Sequence, residues 1–116
     1  MYKNIFDTHA HYEDEQFDCD RDELLSSFPE NGISGVVTCG TDIITSEKSI
    51  ALAEKYPFIY AAVGFHALNL DSLTADWCGD IKKLAAQKKV VAIGEIGLDY
   101  HYERDSREKQ LEVFEK

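Results

Sequence analysis

The sequence predicts an α/β chain whose parallel sheet is covered by crossover helices. Three observations carry this expectation. Short apolar runs alternate with helical patterns along the whole chain. The runs are rich in Val and Ile and mostly apolar on both faces, as strands buried between helices must be. Their starts lie roughly 24 to 32 residues apart, the length of a βα unit.

The first strand is expected over residues 4–9, and the next three over 35–39, 58–64 and 90–95. The first helix should start near Asp20, where Glu23 three residues on makes a capping-box-like pair. Leu24, Leu25 and Phe28 then share a face, and Pro29 with Asn31-Gly32 ends the helix. Ile43, Ser46, Ile50 and Ala53 mark a second helix that stops at Pro57. Trp77, Ile81 and Leu84 recur at helical spacing in a third. A fourth begins near Asp105 and Ser106, presents Leu111 and Phe114, and is expected to be still running at Lys116.

The chain has 116 residues, enough for one domain with a core and too few for two. Apolar residues make up 44%, which argues against disorder. The longest apolar runs are far too short to span a membrane. No basic region followed by an apolar signal segment opens the chain, so a cytoplasmic protein is expected. Cys19, Cys39 and Cys78 are odd in number and widely spaced, which suits reduced thiols rather than a disulfide framework or a zinc ribbon. The formal charge of −10 excludes nucleic-acid binding through a broad basic surface. It leaves room for a nuclease whose metal ions offset the phosphate charge at the site.

Functional groups of parallel α/β folds gather at the carboxyl ends of strands. Asp7, His9 and His11 alternate in Phe6-Asp7-Thr8-His9-Ala10-His11, so a regular strand points all three to one side. Two imidazoles and a carboxylate there suit a divalent cation: Zn, Mn, Fe or Ni, with Mg tolerated. Alone, H-x-H fits a pair of surface histidines equally well. His66 follows the third strand and Glu95 ends the fourth, so both converge on the same rim and favour the metal. Glu95, between glycines, reads as a ligand or ion-pair partner rather than a plain surface carboxylate. His66 reads equally as a hydrogen-bonded loop residue or a substrate contact. His101 reads as a loop residue, and Cys39 as a small buried side chain rather than a nucleophile. Gly94 and Gly97 lack the full spacing of a phosphate loop and read as backbone freedom beside Glu95.

Three stretches then carry a resemblance that spans nearly the whole chain: FDTHAHYEDEQFDCDRDE, VGFH and AIGEIGLDYHY. In this order and spacing they resemble the TatD-type metal-dependent hydrolases, members of the amidohydrolase-like barrel enzymes. The resemblance implies a TIM (β/α)8 barrel, with residues 1–116 as the N-terminal part of a single hydrolase domain, its (βα)4 half. It implies two divalent ions (Mg, Mn or Zn) and hydrolysis of phosphodiesters, typically in DNA. By the same resemblance His9 and His11 hold one ion. Glu95 bridges both as the catalytic carboxylate, His66 lies near the substrate, and Asp7 stands behind the ligands. Two departures are visible. Ala67 stands where the family usually has proline, and a complete barrel needs about 250 residues. The family's remaining ligands, two histidines and an aspartate from later strands, have no counterpart.

Two rivals remain: another amidohydrolase-like reaction, on an amide or lactone, and a truncated metal-binding α/β domain without turnover. Half a barrel also implies two open sheet edges, the first strand and the fourth. Val37, Ala62 and Val91 are then candidates for exposure, and a second copy or a C-terminal half is the expected partner.

Overall fold

The computed structural model describes residues 1–102 and 106–116. Four strands, β1 (Ile5–Ala10), β2 (Ile33–Cys39), β3 (Ile59–Val63) and β4 (Val90–Ile93), form one sheet in the order β1-β2-β3-β4. Every neighbouring pair is parallel. Between and after them come α1 (Arg21–Ser26), α2 (Ile43–Lys55), α3 (Trp77–Ala85) and α4 (Arg107–Phe114). The expected alternation of strand and helix is therefore the observed one. No helix among the described residues is long and apolar enough to cross a membrane.

The core lies between the helices and one face of the sheet. Leu25 and Phe28 from the α1 region, Ile50 and Ala53 of α2 and Ile81 of α3 pack with Val36, Ile59, Ala61 and Val63. Their neighbours in sequence point the other way. On that second face Phe6 lies across Gly35 and stacks on Tyr60, with ring centroids 6.3 Å apart. No layer of helices covers it among the described residues: Phe6 and Val91 are about half exposed.

Helix starts differ from expectation in an instructive way. Asp20 precedes α1 but makes no capping hydrogen bond, because its backbone (φ −138°, ψ 7°) is not the extended conformation that aims a cap side chain at the first turn. The capping box belongs to α2 instead. Asp42 accepts from the Thr45 amide, and the Thr45 hydroxyl accepts from the Asp42 amide. Ser106 caps α4 by accepting from the Lys109 amide, while Asp105, the other expected start, lies outside the described residues. α4 ends at Phe114 rather than running on to Lys116. Of the three residues expected to be exposed, Val91 is, Val37 is half-buried, and Ala62 is buried. Ala62 is small and sits mid-sheet between Cys39 and Ala92, which explains its cover.

Two irregularities place the site. In β1, Asp7 pairs with Val36 and Ala10 with Thr38, so β1 carries one residue more than β2 over this stretch. Such a bulge breaks the strict alternation, and Asp7 falls in register with Ala10 rather than sharing one side with His9 and His11. In β4 the strand ends before Glu95. The Gly94 amide donates to Val63 O (2.9 Å) and the Glu95 amide to Gly40 O (2.9 Å), which carries the chain across β3 toward β2. Gly64 makes the crossing possible, since a Cβ there would lie 3.0 Å from the Gly94 carbonyl carbon.

Candidate metal centre

The corner after β2 organises the centre. Its three consecutive carbonyls each take a hydrogen bond from a different site residue. Cys39 O accepts from the His11 ring Nδ1–H (2.8 Å), Gly40 O from the Glu95 amide (2.9 Å), and Thr41 O from the His66 amide (2.9 Å). The capping box of Asp42 and Thr45 holds this corner, with the Thr41 amide also donating to Thr45 Oγ1 at 2.8 Å. Residues distant in sequence are thus brought together by backbone groups of one short segment.

Three donor atoms meet there. His9 Nε2 lies 3.3 Å and His11 Nε2 3.2 Å from the same Glu95 oxygen, Oε2, and the two ring nitrogens are 3.2 Å apart. Four ligands held tetrahedrally at about 2.0–2.1 Å from a cation stand about 3.3 Å from one another. The donor set therefore fits a single divalent ion. The His11 ring agrees, because a proton fixed on Nδ1 by the Cys39 carbonyl leaves Nε2 with its lone pair.

His66 has the opposite arrangement. Its Nδ1 accepts from the Leu68 amide (3.0 Å), so the proton of the neutral ring sits on Nε2, 3.4 Å from Glu95 Oε1. Asp7 accepts from the His9 amide (3.1 Å) and so fixes the local backbone rather than a ring. His101 is exposed, and its amide donates to Asp99 Oδ1, in keeping with a loop residue. Cys39 is buried, and burial pushes its thiol pKa up, aided by the charges of Glu95, Glu13 and Asp7. That disfavours the thiolate a nucleophile needs. The Tyr12 hydroxyl is likewise raised, by burial first and by Asp7 second. Gly97 has φ 143°, a conformation suited to glycine, whereas Gly94 does not have positive φ.

Sequence reasoning missed Glu13, Thr38 and Arg21. Glu13 is 5% exposed and accepts from the Thr38 hydroxyl (2.7 Å). Arg21 donates from Nε to Tyr12 O (2.6 Å) and from Nη2 to Asp14 O (2.7 Å), and so holds the loop that carries Glu13. A threonine inside the apolar run Val36-Val37-Thr38-Cys39 was the one available signal, since a buried hydroxyl needs a partner.

The chain is 41% identical over 110 residues to the uncharacterized metal-dependent hydrolase YabD of Bacillus subtilis, covering 95% of this chain and 43% of that one. It is 30% identical over 112 residues to the 3'-5' ssDNA/RNA exonuclease TatD of Pantoea ananatis, covering 96% and 43%. The chain thus spans less than half the length of these relatives. Its fold superposes on a TatD homologue from Escherichia coli K12 with a TM-score of 0.84, at 28% identity, over 96% of this chain and 44% of that one. A TatD family hydrolase from Entamoeba histolytica gives 0.83 at 26% identity, over 99% and 44%. The four parallel βα units are accordingly part of a TIM barrel. Residues 6–116 match the family described as TatD related DNase, and the chain belongs to that family.

Proposed function

We propose that the chain carries the first metal-binding half of a phosphodiester hydrolase acting on DNA or a related substrate. One observation carries the reading: one ligand atom each of His9, His11 and Glu95 stand 3.2–3.3 Å apart, and the His11 tautomer is fixed for ligation. In this reading His9, His11 and Glu95, the catalytic carboxylate, would hold one divalent ion, and Glu95 would also serve a second. Mg, Mn and Zn all suit such donors. When bound, a paired-ion site supplies Lewis acidity and an activated water. The protein's own groups do the rest. His66 presents an Nε2–H toward the centre and suits hydrogen bonding to a phosphate oxygen. Asp7 steadies His9 through its amide. The unpaired Cys19, Cys39 and Cys78 support a reducing, cytoplasmic setting. Residues 1–116 are read as part of one barrel domain, with the open edges of β1 and β4 meeting a C-terminal half or a second copy.

Titration calorimetry of the 116-residue chain with Mn or Zn tests the centre. Weak binding is expected, because three protein ligands leave positions open. Both His9→Ala and Glu95→Ala should abolish it. Tight binding lost in His9→Ala but kept in Glu95→Ala would show that the site is elsewhere. Parallel assays on single-stranded DNA, a simple phosphodiester and a lactone separate the substrate classes.

A further inference from the structure

A buried carboxylate behind the metal ligands has a role that the ligand set does not explain. Glu13 sits two residues past His11, at the start of the loop held by Arg21, and its side chain is 3% exposed. One oxygen, Oε2, accepts from Thr38 Oγ1 at 2.7 Å. The other, Oε1, lies 3.3 Å from His11 Nδ1. Among the described residues, no lysine or arginine pairs with this carboxylate. Arg21 reaches only the Glu13 backbone carbonyl, at 3.4 Å. A buried anion with so few partners is costly unless positive charge faces it. The group it faces is an imidazole whose far nitrogen points into the metal centre.

We propose that Glu13 is a positioning residue. It shares the His11 Nδ1–H with the Cys39 carbonyl, locks the ring against rotation, and makes Nε2 a stronger donor to a divalent cation. Carboxylate–imidazole–metal relays act in this way: the outer carboxylate fixes ring orientation and raises ligand basicity. Thr38 sets the carboxylate in turn. Its hydroxyl occupies Oε2 and leaves Oε1 directed at the ring. The Cys39 carbonyl alone would fix the tautomer, so the distinct contribution of Glu13 is negative charge and a second restraint. The proposal rests on the metal reading of His9, His11 and Glu95.

The test compares wild type with Glu13→Gln and Glu13→Ala, using Mn or Zn as the probe. Calorimetry should show affinity about 10- to 100-fold lower in Glu13→Ala. Glu13→Gln, which keeps an acceptor without the charge, should fall between that and wild type. The second readout needs no metal. In the metal-free wild-type chain the His11 Nδ1–H proton should appear downfield in the NMR spectrum, and it should move upfield in Glu13→Gln. An affinity unchanged within twofold overturns the proposal. So does a loss of affinity with the His11 resonance unmoved, which would place the effect of Glu13 elsewhere. If wild type binds no ion, the metal reading fails, and the His11 resonance alone decides whether Glu13 holds the ring. Should Glu13→Ala not fold, Thr38→Val provides the second variant: it should weaken binding in the same direction by a smaller factor, and no loss would count against the proposal.

Discussion

Gly64→Ala should damage the metal centre from behind, without touching a ligand. A Cβ at position 64 would lie 3.0 Å from Gly94 C, 3.1 Å from Gly94 O and 3.1 Å from Ile96 Cγ2. Carbon contacts are comfortable at about 3.5–4.0 Å, so the Gly94 segment must retreat by a few tenths of an ångström. Two of the atoms in the way are backbone, and they cannot swing aside as a side chain end can. Glu95 follows Gly94 directly, and its amide is tied to Gly40 O at 2.9 Å. The retreat therefore stretches that bond and moves a carboxylate whose oxygen stands only 3.2–3.3 Å from two ring nitrogens. Sites of this kind must be held to within about 0.5 Å of their working geometry, so a shift of this order uses up most of that margin. Overpacking of this sort costs about 1–3 kcal/mol of stability, and a tenfold loss of metal affinity corresponds to about 1.4 kcal/mol. Urea unfolding of the metal-free chain measures the first, and calorimetry with Mn measures the second. Both should change. If stability falls as expected while Mn binds as tightly as in wild type, the crossing over Gly64 does not set the position of Glu95.

Three further outcomes are expected. The 116-residue chain alone should hydrolyse single-stranded DNA little or not at all, since the described residues group three donors for one ion; robust metal-dependent turnover by a pure monomer would contradict this. Its stability should depend on concentration, because β1 and β4 present open edges and exposed Phe6, Val91 and Ile93; sedimentation equilibrium showing a compact monomer at every concentration, with an unchanging melting point, would argue for a self-sufficient sheet. Asp22 accepts from Lys55 (2.7 Å) and Tyr56 (2.6 Å), and the Lys55 bond in the first place holds its carboxyl below the usual range. A lowered folded-state pKa stabilises above the unfolded value of about 3.9 and is lost as pH falls through the folded one. The melting-temperature gap between wild type and Asp22→Asn should therefore be full at neutral pH and close in acid; a gap that widens in acid would reverse the sign.

Much of this was legible along the chain because it is local. Apolar runs and helical spacing mark all four βα units, and the ends of those units bring His9, His11, His66 and Glu95 to one rim. What was not legible depends on partners far apart in sequence. The bulge in β1 exists only against β2, so alternation alone put Asp7 on the side of the histidines. The cap at Asp20 matched a pattern but lacked the backbone angles, while the pairing of Asp42 with Thr45 was overlooked. Glu13 lies beside the H-x-H motif in sequence, yet its meaning comes from Thr38, 25 residues away. The crossing that brings Glu95 to the histidines needs the bare Cα of Gly64, and no pattern within residues 90–95 records it.

The three carbonyls after β2 have a consequence for how this protein can change over time. Cys39, Gly40 and Thr41 address His11, Glu95 and His66 through main-chain oxygens, which any residue supplies. Substitution at 39 or 41 by a side chain of similar size therefore leaves the addresses standing. Position 40 is narrower, because a side chain there would collide with Ser46. Chain length is another matter. Inserting or deleting one residue between 39 and 41 would shift every later carbonyl past its partner and misdirect up to two site residues, Glu95 and His66, in a single event. This corner can drift in composition while being held to its count.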